Sequence, residues 1–275
     1  EDPTLAGGLR TLTRRDLHAL VSRLQQALLE MGVEPGDRVA AWLPNVPETC
    51  AVMLAAASIG ATFSSTSPDF GASGVIDRFG QIRPVVLFTT DGYRYGGRRH
   101  DVTGRLAEVA AALPEVRRVV VVPEDPTAGP VGTLPDGALS LEVFLAPYEA
   151  EEVRFLDLPF DHPLYILYSS GTTGMPKGIK WPLTAEPLVA PSMLVSLLSS
   201  LFGYDANTRY LCPAPLYHAA PLRHTMVTLK MGGTAYIMSK FDAERALQII
   251  EAEVITHSQW VPTMFIRMLK LPDHI

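Results

Sequence analysis

Cysteine, basic charge and long apolar runs are scarce in this sequence, and each scarcity argues against a class of protein. The 275 residues include two cysteines, Cys50 and Cys212, both in apolar surroundings. Two cysteines argue against a disulfide framework and suit a reducing compartment. The formal net charge is −6, so the chain lacks the basic footprint of a nucleic-acid-binding protein.

No apolar run reaches the roughly 18 residues that a membrane span requires. The longest candidate, Ala51–Ala61, is rich in alanine and predicts a buried helix. No secretory signal precedes the first predicted helix. These absences predict a soluble, cytoplasmic protein with no membrane span and no nucleic-acid partner.

Two common nucleotide-binding motifs are also missing. No Gly-x-Gly-x-x-Gly opens a helix after a first strand, which argues against a Rossmann-type dehydrogenase. No glycine-rich loop ends in the Gly-Lys-Ser/Thr of the common P-loop. The hydrophobic content of 47% is nevertheless enough to fill the core of one large domain or two modest ones.

Helical and strand patterns alternate along the chain, which predicts an α/β fold with parallel sheets. The first helix follows an N-cap at Thr13 and ends at Gly32, and the second begins at Pro47 and ends at Gly60. Later helices are predicted at 75–82, 102–113, 140–145, 188–202, 222–231, 243–252 and 263–271. Strands are predicted at 37–43, 61–65, 85–89, 119–122, 164–168, 210–212, 234–238 and 254–258. Glu124–Ala138, with three prolines and three glycines, predicts a surface loop.

The most informative segment is the polar loop that follows the predicted strand Leu164–Tyr168. It reads Ser-Ser-Gly-Thr-Thr-Gly-Met-Pro-Lys-Gly over residues 169–178. Glycines allow close backbone approach to a ligand, while amide and hydroxyl donors and a lysine favour an anion. The alternative is a surface turn rich in glycine and threonine. The candidate phosphate-binding residues are Ser169, Ser170, Gly171, Thr172, Thr173, Gly174 and Lys177.

This loop and the tyrosine before it resemble the signature of AMP-forming adenylating enzymes, which include acyl-CoA synthetases, luciferases and peptide-synthetase adenylation domains. The resemblance implies the N-terminal domain of an adenylate-forming enzyme, built from two doubly wound parallel-sheet subdomains, with the C-terminal lid absent. Residues 1–158 would form the first subdomain. Residues 159–275 would form the phosphate loop and part of the second.

The resemblance also implies a chemistry. An AMP-forming acyl-CoA synthetase is an acid–thiol ligase of lipid metabolism that joins a carboxylic acid to ATP and then to coenzyme A. Its cofactors would be ATP, Mg²⁺ and coenzyme A, and its substrate a small-molecule carboxylate. No catalytic residue and no metal ligand is assigned, and a homo-oligomer is left open.

Two further segments resemble parts of the family's acyl pocket. Tyr217 and His218 lie in Pro215–Pro221 and are candidates for contacts with the carboxylate substrate. The alternative for this segment is a strand-to-helix turn with a partly exposed histidine. Trp260 precedes Val-Pro-Thr and is a candidate wall of the acyl tunnel, with an ordinary core position as the alternative.

The resemblance changes along the chain. Up to about residue 178, segments such as Ser64–Gly71 and Asp91–Gly97 resemble acetoacetyl-CoA synthetases. From about residue 180, segments such as Thr256–Trp260 resemble fatty acyl-CoA synthetases. The carboxylic acid could therefore be acetoacetate or a fatty acid. The family segments that contact adenine, ribose and Mg²⁺ are not found, so a truncated or chimeric fragment that binds nucleotide or acyl ligand without turnover is the alternative.

Overall fold

The computed structural model describes residues 10–95, 98–127, 129–159, 162–168, 178–179 and 193–272. The chain divides into two compact units, Glu1–Leu183 and Thr184–Ile275. The sequence analysis placed the boundary at 158/159. The observed boundary lies later because the next strand along the chain, Tyr165–Tyr168, pairs with the sheet of the first unit.

The first unit contains five helices and nine strands among its described residues. Its elements are α1 (Arg14–Glu30), β1 (Arg38–Trp42), α2 (Pro47–Ser58), β2 (Thr62–Thr66), α3 (Ala72–Ile82), β3 (Val86–Thr90), β4 (Gly92–Tyr95), β5 (Arg98–Asp101), α4 (Thr103–Ala111), β6 (Arg118–Val122), β7 (Leu139–Ser140), α5 (Leu141–Leu145), β8 (Tyr165–Tyr168) and β9 (Gly178–Ile179).

The main sheet has the strand order β7-β6-β3-β1-β2-β8-β9. Six neighbouring strands, from β7 to β8, run parallel. Only β9 is antiparallel, and it pairs with β8 at the edge. The order β2-β1-β3-β6-β7 is that of doubly wound flavodoxin-like sheets. The parallel α/β fold predicted from the alternating pattern is therefore confirmed.

Local sequence explains where the first helix begins. The Thr13 hydroxyl accepts a hydrogen bond from the Asp16 amide, and the Asp16 carboxylate accepts one from the Thr13 amide. This capping box satisfies two backbone donors at the helix start, and Thr13 is the N-cap that the sequence predicted. Gly32, just after the helix, has φ = +70°, a conformation that glycine adopts without steric cost.

One face of the main sheet packs against α3 and α4. Trp42 of β1, which is fully buried, lies in this cluster with Phe79 of α3 and Leu106 of α4. Large apolar side chains on both layers remove several hundred square ångströms from water, at roughly 25 cal/mol per Å². This packing fixes α3 against the sheet and sets the position of every strand end beside it.

The sequence analysis missed the hairpin of β4 and β5, whose register pairs Gly92 with Asp101. Asp91, directly before it, is 1% exposed. Its carboxylate accepts hydrogen bonds from the amides of Glu124 and Val131, both at 2.7 Å, and from the Arg99 guanidinium at 3.0 Å. Asp91 therefore anchors the Glu124–Ala138 loop, which contains no helix or strand among its described residues.

The second unit is smaller. Its described elements are α6 (Met193–Phe202), β10 (Arg209–Cys212), α7 (Ala219–Met231), β11 (Thr234–Ile237), α8 (Ala243–Ala252), β12 (His257–Ser258) and α9 (Pro262–Met268). The strands form a parallel sheet of order β11-β10-β12. The first residues of the helix predicted at 188–202 lie outside the described part of the chain.

The strand predicted at 254–258 is shorter than expected. Only His257 and Ser258 pair with β10, because Val254 adopts a left-handed backbone conformation with φ = +47°. Arg209 at the start of β10 ties this region together. Its guanidinium donates to the Glu253 carboxylate at 2.9 Å and also contacts the Tyr236 hydroxyl of β11.

Both cysteines are reduced and buried, as their apolar surroundings predicted. Among the residues described, no helix is long and apolar enough to cross a membrane.

Candidate functional site

The carboxyl ends of the six parallel strands meet at one edge of the main sheet. In doubly wound sheets, ligands bind outside this edge. Polar residues are concentrated there: β2 ends in Ser64, Ser65 and Thr66, and β3 ends in Thr89 and Thr90. An edge of this composition offers hydroxyl donors and acceptors to a polar ligand.

Several of these hydroxyls are buried with no protein partner among the described residues. They are Ser65 Oγ, Thr66 Oγ1 and Thr89 Oγ1. Thr66 and Thr89 are both in register with Trp42, so they face the side of the sheet that α3 covers. A buried polar group without a hydrogen bond costs free energy. The edge therefore retains hydrogen-bonding capacity that a ligand or water can use.

The predicted phosphate loop leaves this edge directly after β8. Tyr168, the last residue of β8, pairs with Gly178 of β9, so both ends of the connecting segment are fixed side by side. The sequence placed all its candidate nucleotide-binding residues in that segment. Ser169, Ser170, Gly171, Thr172, Thr173, Gly174 and Lys177 lie outside the described residues, and their role stays a prediction.

Tyr217 and His218 lie directly before α7 in the second unit. Their ring centroids are 4.5 Å apart. His218 is the N-cap residue of α7, without a side-chain hydrogen bond to the helix. The residue is exposed at the surface, but partial desolvation by the surrounding protein lowers its pKa below the ordinary value. The imidazole is therefore biased towards its neutral form.

Trp260 lies in a different environment within the same unit. Its indole packs edge-on against Phe241 at 6.0 Å and contacts Phe265 at the same centroid distance. These rings belong to, or border, an apolar cluster beneath α8 and α9. Among the described side chains, the ring contacts of Trp260 are with these two phenylalanines and not with Tyr217 or His218. The role of Trp260 as a wall of the acyl tunnel stays a prediction.

The sequence analysis missed a buried polar cluster beside α7. The Tyr204 hydroxyl and Nδ1 of His224 are 3.0 Å apart, and the rings of Tyr210 and His224 are stacked at 5.8 Å. Burial raises the pKa of Tyr204 to about 12 and lowers the pKa of His224. Burial also raises the pKa of the Cys212 thiol. These groups are consequently uncharged near neutral pH.

A sequence signal for this cluster exists in α7. His224 and Thr228 are four residues apart and so share one face of the helix; the Thr228 hydroxyl donates to the His224 carbonyl at 2.8 Å. A polar pair on the buried side of an otherwise apolar pattern indicates a specific internal contact. Its partners on β10 could not be identified without the fold.

The model of the family "AMP-binding enzyme" matches residues 1–275. This chain therefore belongs to the AMP-binding enzyme family.

Two relatives are acetoacetyl-CoA synthetases. The protein of Rhizobium meliloti (strain 1021) is 52% identical over 168 residues, which are 61% of this chain and 26% of that protein. The protein of Gallus gallus is 44% identical over 171 residues, covering 60% of this chain and 26% of that protein. The matched part of this chain thus spans about a quarter of the length of these relatives.

Solved structures support the fold over nearly the whole chain. The acetoacetyl-CoA synthetase from Streptomyces lividans matches 95% of this chain and 39% of that one, with a TM-score of 0.80 and 34% identity. ATP-bound MatB from Rhodopseudomonas palustris matches 98% of this chain and 48% of that one, with a TM-score of 0.75. At 22% identity, the second likeness bears on the fold alone.

Proposed function

We propose that this chain is part of an AMP-forming acyl-CoA synthetase and supplies the residues that bind the ATP phosphates. The observation that carries the proposal is the position of the loop signature within an AMP-binding family member. It begins at the carboxyl end of β8, in a sheet whose neighbouring strands also end in hydroxyl side chains. In such a sheet, this edge is where ligands bind.

The reaction would activate a carboxylic acid with ATP to give an acyl-adenylate and pyrophosphate, and then transfer the acyl group to coenzyme A. In the proposed roles, the loop amides and hydroxyls and Lys177 hold the phosphates that leave as pyrophosphate. Fixed donors around a departing anion accelerate such a step by positioning and by charge stabilisation. Thr173 and Lys177 are the loop residues whose substitution tests this role most directly.

Tyr217 and His218 are proposed to contact the carboxylic acid. The aromatic ring can contact the carbon chain of the acid, and the neutral imidazole beside it can donate a hydrogen bond to a carboxylate oxygen. Trp260 is proposed as an apolar wall of the acyl tunnel, because the residue is only partly buried. Acetoacetate is the first candidate substrate, since the acetoacetyl-CoA synthetases align with about three fifths of this chain. Fatty acids are the second.

Mg²⁺ would bridge the nucleotide phosphates, as it does in other ATP-dependent transfers. Among the residues described, no group of three or more His, Cys, Asp or Glu could hold a metal ion. We therefore assign no Mg²⁺ ligand among the described residues, and the ion would enter the site bound to ATP.

A second candidate function is binding of nucleotide or acyl ligand without turnover. The observation that favours it is length, because the matched residues cover 26% of the acetoacetyl-CoA synthetases. If contacts made elsewhere in those proteins are required for the transition state, their loss multiplies, since each 1.36 kcal/mol is about tenfold in rate. We expect the 275-residue chain to bind ATP weakly and to form acyl-CoA slowly or not at all.

Carboxylate-dependent exchange of labelled pyrophosphate into ATP tests both candidates. The 275-residue chain and any longer polypeptide that contains it would be assayed with acetoacetate and a series of fatty acids. Exchange by the longer polypeptide alone supports the proposed function and the need for further residues. Exchange by neither, with any of these acids, would contradict the proposal. Exchange at ordinary enzyme rates by the short chain would refute the expectation of weak activity.

Substitution of the loop separates its role from general stability. In the active form, Thr173→Ala or Lys177→Ala should weaken ATP use by about 1.5–3 kcal/mol, the usual loss for a hydrogen bond to a charged group. The control is Lys230→Ala at an exposed position near the end of α7, which should leave ATP use unchanged. Unaltered kinetics in both loop variants would count against a phosphate role.

A further inference from the structure

Arg78 of α3 lies between two aromatic rings at the carboxyl edge of the main sheet. Its guanidinium carbon is 4.2 Å from the ring centroid of Phe70 and 6.0 Å from that of Tyr168. Nη1 donates a hydrogen bond of 2.7 Å to the carbonyl of Gly74, one turn closer to the start of the helix. The guanidinium is thus directed towards the end of α3 that faces the polar edge.

The same residue holds Tyr168 through its main chain. The Tyr168 hydroxyl donates a hydrogen bond to the carbonyl oxygen of Arg78. Burial raises the pKa of this hydroxyl, so it remains a protonated donor across the physiological range. Arg78 therefore contacts Tyr168 twice, through its carbonyl and through its guanidinium.

Tyr168 is the last residue of β8, and the predicted phosphate loop begins at the next residue. On the other side, Phe70 lies in the connection between β2 and α3, which begins at the same edge. Cation–π contacts of this kind contribute most when they are shielded from water, and Tyr168 and Arg78 are both partly buried. The three side chains link the helix, the connection and the strand end into one assembly.

Arg78 differs from other arginines of the first unit in its partners. Other arginines in this unit pair with carboxylates: Arg10 with Glu48, and Arg99 with Asp91. Among the described side chains, no carboxylate lies within ion-pair distance of Arg78. A partly buried arginine without a counter-charge is suited to a neighbouring anion or to a stacking role that lysine cannot fill.

We propose that Arg78 is a positioning residue for nucleotide phosphates, because it stacks against Tyr168 and fixes the strand end from which the phosphate loop departs. The inference rests on the proposed function, in which that loop binds ATP. It predicts a specific signature. Loss of the Arg78–Tyr168 contact should weaken binding of ATP but not of AMP, since AMP lacks the two phosphates assigned to the loop.

The test compares three variants with one matched control in the 275-residue chain. Arg78→Met removes the guanidinium and keeps an apolar stem, Arg78→Lys keeps the charge without the planar group, and Tyr168→Phe removes only the hydroxyl. The control, Arg83→Gln, makes the same charge change just beyond the other end of α3, where the side chain is 72% exposed. Isothermal titration with ATP and with AMP gives the two affinities.

We expect Arg78→Met and Tyr168→Phe each to raise the dissociation constant for ATP about threefold to tenfold, the range for one lost hydrogen bond or stacking contact. Arg78→Lys should not restore ATP binding. ATP affinities equal to wild type, equal losses for ATP and AMP, or full rescue by lysine would each overturn the inference.

Hydrogen exchange without ligand supplies an independent readout. Arg78→Met should speed exchange in the peptide that contains β8, while Arg83→Gln should not. Wild-type protein that binds no ATP would contradict the proposed function, and the exchange of β8 would then decide whether Arg78 positions the strand end. Unchanged exchange of β8 in Arg78→Met would overturn that positioning.

Discussion

Replacing Asp91 by asparagine should lower the unfolding free energy of the first unit by more than most single substitutions do. The change keeps the shape of the side chain and removes its charge. Asp91 is 1% exposed and accepts hydrogen bonds from three donors: the amides of Glu124 and Val131 and the guanidinium of Arg99. An asparagine has one oxygen, so its amide nitrogen must face at least one of these N–H groups.

The size of the effect follows from how those donors are shared. One carboxylate oxygen accepts from Glu124, and the other accepts from Val131 and Arg99 together. The less costly orientation of an asparagine turns its nitrogen towards the Glu124 amide, so one hydrogen bond to a charged group is lost, at about 1.5–3 kcal/mol. The remaining contact with Arg99 loses its ionic character in a site with little water. We expect a total loss of about 2–4 kcal/mol.

Hydrogen exchange of peptides from β3 and β6, measured as a function of urea, would report the unfolding free energy of this unit alone. The control is Asp77→Asn on the exposed side of α3, which should stay within about 0.5 kcal/mol of wild type. An Asp91→Asn protein as stable as the control would show that the carboxylate does not anchor the loop, and the reasoning above would be refuted.

Three further results are expected. Burial lowers the pKa of His224, so below about pH 6.5 the unfolded state binds more protons than the folded state. Thermal stability should therefore fall as the pH drops from about 6.5 towards the folded pKa. This fall should be smaller in His224→Asn, and the exposed-surface control His18→Asn should match wild type. Gly80→Ala, whose new methyl meets nothing within 4 Å in the last turn of α3, should stabilise the protein by about 0.4–1 kcal/mol in thermal unfolding. Gly233→Ala places a methyl 2.5 Å from the Thr208 carbonyl oxygen and should destabilise the second unit by about 1–3 kcal/mol, which urea unfolding would measure.

Periodic segments could be predicted well from the sequence because their own residues determine them. The first helix was placed by its Thr13 cap, and α8 has the predicted bounds, 243–252. The β4–β5 hairpin was missed because Arg98–Asp101 has no apolar alternation; Arg99 is held by Asp91 and Glu124 instead. Such a strand is stabilised by ion pairs with distant residues, which local patterning does not contain.

The candidate site was also only partly predictable from the sequence. A contiguous motif placed the loop after β8, since all its residues are neighbours in sequence. Arg78 was missed because ninety residues separate it from Tyr168, and nothing in an isolated arginine on a helix indicates an aromatic partner. The predicted subdomain boundary and the division between the two compact units differ for a related reason. β8 looks like the start of a new subdomain until its partner, β2, is known.

The pairing of β8 with β2 also sets an order of assembly. Ser64 and Ile166, which share a hydrogen bond, are 102 residues apart, whereas β1, β2 and β3 follow one another through short helical crossovers. Contacts between distant residues form late, because a long stretch of chain must be closed before they contribute stability. During synthesis the neighbouring strands β6, β3, β1 and β2 can associate before β8 has left the ribosome. The proposed nucleotide-binding edge would thus be completed last, on a sheet that is already folded, and substitutions in β8 should affect the final folding step more than the first.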